Sequence, residues 1–215
     1  MSEIIMLSNV RLSFPQLIDP VERINPKTQV KTLVWSTELI LPENHQGWAD
    51  FQQRYAQLAQ EYWKELRPQI MQAVQNDKKS RCFGDGSEKV NSKTFVQYAG
   101  YNGMKYISAS SKKVPPQMIE ANGKAIDAAN TMAYQAMARK LYGGCYVNAA
   151  IKPWVQKPGV DYGHGFRCDL IALQFAKDGE PFGDSVPDAS SLFGAVAAPA
   201  GGATPAGMAF PSFLS

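Results

Sequence analysis

Strand signals outnumber helical ones in this chain, and no regular strand–helix–strand alternation links them. Residues 3–14 and 30–41 are rich in β-branched and aromatic side chains and are bounded by Pro15, Pro20, Pro26 and Pro42. They read as two strands joined by a loop that contains Arg23 and Lys27. Thr94 to Ser111 reads as a hairpin turning at Tyr101-Asn102-Gly103, and a short hairpin around Ala121-Asn122-Gly123 follows. Two further strands, near 142–155 and 166–176, flank a glycine-containing connection from Lys157 to Gly165. This pattern predicts a mainly β fold with helical insertions, a small mixed sheet or barrel.

The strongest helix signal lies between the second and third strand segments. Trp48, Phe51, Tyr55, Leu58, Tyr62, Leu66, Ile70 and Val74 recur every three or four residues. Such a regular stripe predicts a face buried in the core, and Pro68 within it predicts a kink or a split. Residues 76–93 are polar and glycine-bearing, which predicts a loop. A second helix is expected over 127–141, capped by Asp127.

At 215 residues, 45% of them hydrophobic, the chain supports one domain, or one domain with an appendage. No run approaches the roughly 20 apolar residues of a spanning helix. The first residues lack the basic-then-apolar pattern of a secretory signal. Three widely spaced cysteines, Cys82, Cys145 and Cys168, argue against a disulfide framework and for a reducing cytosol. Charge is unevenly divided. All 22 Lys and Arg precede Asp178, with 15 of the 19 acids, so residues 1–177 carry +7 and residues 178–215 carry −4. A basic body suggests an anionic partner, nucleic acid first. Residues 189–215 contain no charge, and 15 of these 27 are Ala, Gly or Pro. The division is therefore a folded domain over 1–177 and a flexible tail over 178–215, acidic and then Ala/Gly/Pro-rich. The tail's end, Phe210-Pro211-Ser212-Phe213-Leu214, reads either as a short docking peptide for a protein partner or as an unstructured terminus.

Catalytic templates are absent: the sequence holds no phosphate loop, no HExxH, no GxSxG and no dinucleotide fingerprint. Cys82, Cys145, His164 and Cys168 could ligate zinc or be buried thiols, and the lack of a CxxC pair favours the thiols, so no cofactor is expected. Asp85 and Glu88, with Asp161 and Asp169 further on, are the candidates for a metal-dependent nuclease; solvated loop carboxylates are the plainer reading.

Aromatics interleaved with bases are the feature left over. Single-strand binders need cations that follow the phosphates and flat faces on which unpaired bases stack. Tyr98, Tyr101, Lys105 and Tyr106 belong to one hairpin region, followed by Ser108, Ser110, Lys112 and Lys113. In the strand 145–155, alternation places Val147, Ala149 and Ile151 on one face and Tyr146, Asn148, Lys152 and Trp154 on the other. The first set reads as core; the second presents either a binding face or rings packed beneath the helix. Arg81, Arg139 and Arg167 could extend a basic track. Trp35 reads as core.

Residues 141–151 (LYGGCYVNAAI) and 170–183 (LIALQFAKDGEPFG) resemble the end of phage single-stranded DNA-binding proteins related to the podovirus helix-destabilising protein. The matching positions are Tyr142, Gly144, Tyr146, Val147 and Ala149, then Gln174, Phe175, Asp178, Gly179, Glu180, Pro181, Phe182 and Gly183. The opening also fits, with Arg11-Leu12-Ser13-Phe14-Pro15 and then Leu39-Ile40-Leu41-Pro42. The tail departs from the family pattern, being acidic only to Asp188, and the helices after the second strand and at 127–141 are atypical. The resemblance implies an OB-fold-like five-stranded barrel in the host cytoplasm. It also implies coating of single-stranded DNA without sequence specificity, in phage replication or recombination, and no catalysis. A strand-annealing or virion interaction protein is the alternative besides the nuclease. Oligomeric state stays open, as does any phage replication protein docked by the tail.

Overall fold

The computed structural model describes residues 3–24, 29–159 and 163–183, all within one unit spanning 1–183. Its elements are β1 (Ile5–Ile24), β2 (Lys31–Pro42), α1 (Gln46–Trp63), α2 (Arg67–Asn76), β3 (Phe83–Asp85) and β4 (Met104–Lys112), then β5 (Gln117–Ile119), β6 (Ala125–Ile126), α3 (Thr131–Lys140), β7 (Tyr146–Gln156) and β8 (Gly165–Lys177).

Five strands close into a barrel. β1 pairs antiparallel with β2 and with β7, β2 with β4, and β7 with β8, while a parallel contact between Ser110 and Asp169 joins β4 to β8. The order β1-β2-β4-β8-β7 back to β1 is the five-stranded barrel that the resemblance implies, and it resolves the sheet-or-barrel alternative of the strand pattern in favour of the barrel. β1 serves two partners because it bends. Its register slips between Leu7 and Val10 against β7, and between Ser13, Gln16 and Val21 against β2. Asn9 and Phe14, at φ 55° and 45°, sit at these irregularities. The expected strand end at Pro15 is thus corrected: β1 runs on to Ile24, with Pro15 and Pro20 in the stretches where the ladder is interrupted and no N–H is required.

The barrel interior and α1 share one apolar core. Leu7, Leu12, Leu39, Ile107, Val147 and Leu173 are fully buried, as the two-residue alternation predicts. α1 buries Trp48, Phe51, Tyr55 and Leu58, and edge-to-face contacts tie Tyr55 to Phe166 at 4.3 Å and Phe51 to Phe83 at 5.4 Å. Trp35 is also core. The long helix splits as expected, but at Lys64, which takes φ 45°, rather than at Pro68. Pro68 instead occupies the first turn of α2, where its missing N–H leaves no bond unmade.

Three other expectations are corrected. The polar stretch 76–93 contains the short strand β3, paired with β4. Of the hairpin expected over 94–111 only β4 is a strand of length; the preceding residues form turns joined by an isolated bridge between Val90 and Gln97. α3 starts at Thr131, because Asn130 accepts the Ala133 N–H at 3.1 Å, whereas Asp127 caps a local turn by accepting from Ala129. The tail's first residues are held against the barrel: Arg11 donates to the Glu180 carbonyl at 2.5 Å, and the Phe182 N–H to the Gly143 carbonyl at 2.8 Å. From residue 184 onward the expected tail lies outside the described residues. Among the described residues no helix is long and apolar enough to cross a membrane.

Candidate nucleic-acid interface

An open groove of about 610 Å³ runs over the outer face of β2 and β4, between the tip of the β1–β2 ribbon and the ends of β7 and β8. Strand alternation builds it. On β4, Ile107 turns to the core while Ser108 and Ser110 turn outward, and on β2, Ser36 and Glu38 alternate with buried Trp35 and Leu39. On β8, Arg167 and Asp169 alternate with buried Phe166, Cys168 and Leu170.

Trp154 stands on one wall, half-buried. Its indole Nε1 donates to Asp169 Oδ1 at 2.8 Å, and the Lys112 ammonium lies 5.8 Å from its ring centroid. Beside it, Arg167 donates from Nε to Gln156 Oε1 at 2.9 Å and from Nη1 to the Lys79 carbonyl at 2.7 Å. Both acceptors are neutral, so the guanidinium is positioned without being neutralised. Arg23, Lys79 and Lys112 are exposed on the rim, with no ion pair among the described residues. At the opposite wall Phe14 is 46% exposed, its ring meeting Tyr98 edge-on at 4.9 Å. The floor is serine hydroxyls and two carboxylates, Asp169 and Glu38; Glu38 is already engaged by Lys89, by the Tyr101 hydroxyl and by Ser108 at 3.2 Å.

Of the residues that sequence reasoning put forward, Arg81, Lys112, Trp154 and Arg167 line this groove, and Tyr98 joins it through Phe14. Lys113 is exposed one position beyond the end of β4. Arg81, however, is a strut: it donates to both Glu88 oxygens at 2.9 and 2.8 Å, to the Phe83 carbonyl at 2.6 Å and to the Gln75 carbonyl at 3.0 Å. Tyr101 and Tyr106, expected as stacking faces, are instead buried. The Tyr101 phenol is driven far above its usual pKa by burial and by its bond to Glu38, and burial pushes that of Tyr106 up to about 12. Neither ring can receive a base without unpacking the wall behind Glu38.

Four candidates lie off the groove. Lys105 pairs with Asp85 at 2.9 Å and Glu43 at 3.5 Å, and Lys152 with Glu3 at 2.5 Å. Arg139 borders a separate hollow beside Pro15 and Tyr142. Tyr146 lies between cations, with Lys177 Nζ 4.6 Å and the Arg11 guanidinium 5.5 Å from its ring centroid, and Gly179 packs so closely on its ring edge that a Cβ there would approach it to 3.0 Å. The ring thus packs against the segment that follows β8.

Sequence reasoning missed Phe14, Lys79 and Gln156, and placed Arg23 in a loop without a role. In sequence Phe14 reads as an ordinary strand residue; its left-handed backbone, which turns the ring outward, has no sequence signature in a phenylalanine.

Of the nuclease candidates, Asp169 lies in the groove, and Asp85 and Glu88, outside its lining, are engaged with cations. Asp85 is held well below the usual carboxylate range, first by the Lys105 hydrogen bond and then by Ser87, and Glu88 is occupied by Arg81. Asp161 lies outside the described residues. Among those described, no group of three or more His, Cys, Asp or Glu is arranged to hold a metal. The three thiols are free and buried, and burial pushes that of Cys145 up to about 11.

A family described as "Enterobacter phage Enc34, ssDNA-binding protein" matches residues 3–201. The chain is 29% identical over 182 residues to protein p50 of Acyrthosiphon pisum secondary endosymbiont phage 1, covering 83% of this chain and 85% of that protein. In fold it is similar to the single-stranded DNA-binding protein of bacteriophage Enc34 in complex with ssDNA, with TM-score 0.62, 22% identity, and 84% of this chain and 90% of that chain covered. Another structure of the Enc34 protein superposes with TM-score 0.54 at 24% identity, over 88% of this chain and 89% of that one.

Proposed function

The chain belongs to the Enterobacter phage Enc34 ssDNA-binding protein family, and from that premise we propose that it binds and coats single-stranded DNA in the groove over β2 and β4, without sequence specificity. The observation that carries the placement is the Trp154 plate, flanked by Lys112 and by an Arg167 guanidinium held only by neutral acceptors. Bases stack on Trp154 and on the Phe14–Tyr98 wall, while Arg23, Lys79, Lys112 and Arg167 meet the phosphates. An outer face of strands two and three bordered by the β1–β2 and β7–β8 connections is where barrels of this order take up oligonucleotides.

The setting is the host cytoplasm during phage DNA replication or recombination, with the unit over residues 1–183 as the binding domain and the residues after it as its appendage. The action is non-catalytic, because Asp85 and Glu88 are engaged with cations. One experiment tests both parts. Fluorescently labelled oligothymidine is titrated with protein while anisotropy is read, and the recovered DNA is then sized after incubation with Mg²⁺ or Mn²⁺. Saturable binding that weakens with salt, leaving the strand intact, is expected. Shortened strands would establish a nuclease, and no binding would refute the groove. Trp35, Trp48 and Trp63 are buried, so quenching of tryptophan emission on binding reports on Trp154.

A further inference from the structure

We propose that Asp169 gives this groove, which reads no sequence, a modest compositional preference for bases that present an amino group, cytosine over uracil or thymine. The inference rests on the groove reading above and deepens it. Asp169 lines the groove half-exposed, and its Oδ1 accepts the Trp154 indole N–H at 2.8 Å. That bond holds the carboxylate at the edge of the indole plate, where the rim of a base stacked on the plate also lies. Its second oxygen, Oδ2, has no hydrogen-bond partner among the described residues.

The neighbouring cations do not neutralise it. Lys152, opposite Asp169 on β7, gives its ammonium to Glu3 at 2.5 Å, Arg167 donates to Gln156 and the Lys79 carbonyl, and Lys112 lies 5.8 Å from the indole centroid; none forms an ion pair with Asp169 among the described residues. Glu38, the groove's other floor carboxylate, is enclosed by Lys89, Tyr101 and Ser108. Asp169 is therefore a bare carboxylate beside the stacking plate in an otherwise cationic groove. A carboxylate repels phosphate, so the backbone runs along the cations and the base edge turns to Asp169. An ionised carboxylate only accepts. The cytosine 4-amino group donates to it, whereas uracil and thymine place a carbonyl oxygen at that position and offer only an N3–H flanked by two carbonyl oxygens, whose repulsion opposes the carboxylate.

The test compares oligodeoxycytidine and oligodeoxyuridine of about 16 nucleotides at pH 7.5, with wild type and Asp169→Asn. These bases differ only along the edge in question. The wild type should bind the cytidine strand about three- to tenfold tighter, the net effect of one hydrogen bond made in competition with water. In Asp169→Asn the amide oxygen keeps the Trp154 bond, and an amino group replaces Oδ2. The preference should then fall to parity or invert toward uracil, even as loss of a negative charge tightens binding of both strands. A purely structural role for Asp169 would change both affinities together and leave their ratio unmoved. A wild-type ratio of one, or an unchanged ratio in the variant, overturns the inference while leaving single-strand binding standing. Failure of the wild type to bind either strand overturns the groove reading and this inference with it.

Discussion

The ammonium of Lys112, at the end of β4, lies 5.8 Å from the centre of the Trp154 ring on β7, across a barrel seam closed by the Ser110–Asp169 contact. A cation and a flat aromatic face are thus adjacent although 42 positions separate them in the chain. One stacked base contributes ~1–3 kcal/mol in such a groove. Trp154→Ala should therefore weaken oligothymidine binding by about five- to 150-fold, measured by anisotropy. Tyr146→Phe, which alters a ring outside the groove, should leave affinity unchanged.

Salt separates the groove cations from the others. Log affinity should fall with log salt by about 0.7 for each phosphate neutralised on a single strand. Lys112→Ala and Arg167→Gln should each flatten that slope by about 0.7. Arg139→Ala and Lys152→Ala should not, because Arg139 lies in another hollow and Lys152 is bound to Glu3. A salt titration of the four variants against wild type makes the comparison.

Phe14 offers a test in which stability and binding part company. Its backbone is left-handed at φ 45° and its ring is 46% exposed. Glycine adopts that conformation freely, while a side chain there costs about 1–2 kcal/mol. Phe14→Gly should hold or raise the melting temperature and weaken DNA binding. A lowered melting temperature with unchanged affinity would place the ring in the structural core instead.

The Asp85–Lys105 pair sets a pH dependence at both ends of the scale. Its hydrogen bond to Lys105, seconded by Ser87, lowers the Asp85 pKa from an ordinary 3.8. The group's stabilising contribution is therefore complete above about pH 3.8 and is lost as pH falls toward the folded value. Lys105 is shifted the other way, raised above 10.5 chiefly by the same bond, so its contribution is complete below that pH and is lost as pH rises beyond it. Thermal melts from pH 2 to 7 should show wild type losing stability faster than Asp85→Asn below about pH 4. The two curves should run parallel above it.

Local periodicity made the strands and the main helix legible, because a buried face imposes a repeat of two or 3.6 residues whatever the fold around it. The alternation in β7 put Val147, Ala149 and Ile151 inside and Trp154 outside, and the structure agrees at each position. The same local logic failed at Tyr101 and Tyr106. Aromatic residues near lysines look alike in sequence whether they face solvent or close over a carboxylate, and the partner that buries Tyr101, Glu38, comes from β2, 63 positions away.

By itself, then, the sequence determined a β-rich chain with a basic body and its inward-facing residues, since these follow from local pattern and composition, and its motifs at 141–151 and 170–183 carried the resemblance to its family. Only the tertiary structure decided which cations are spent on carboxylates, as Arg81, Lys105 and Lys152 are, and which, like Arg23, Lys79 and Lys112 on the groove rim, form no ion pair among the described residues. Availability of a charge depends on what stands within a few ångströms of it. Barrel closure sets those distances between residues far apart in the chain.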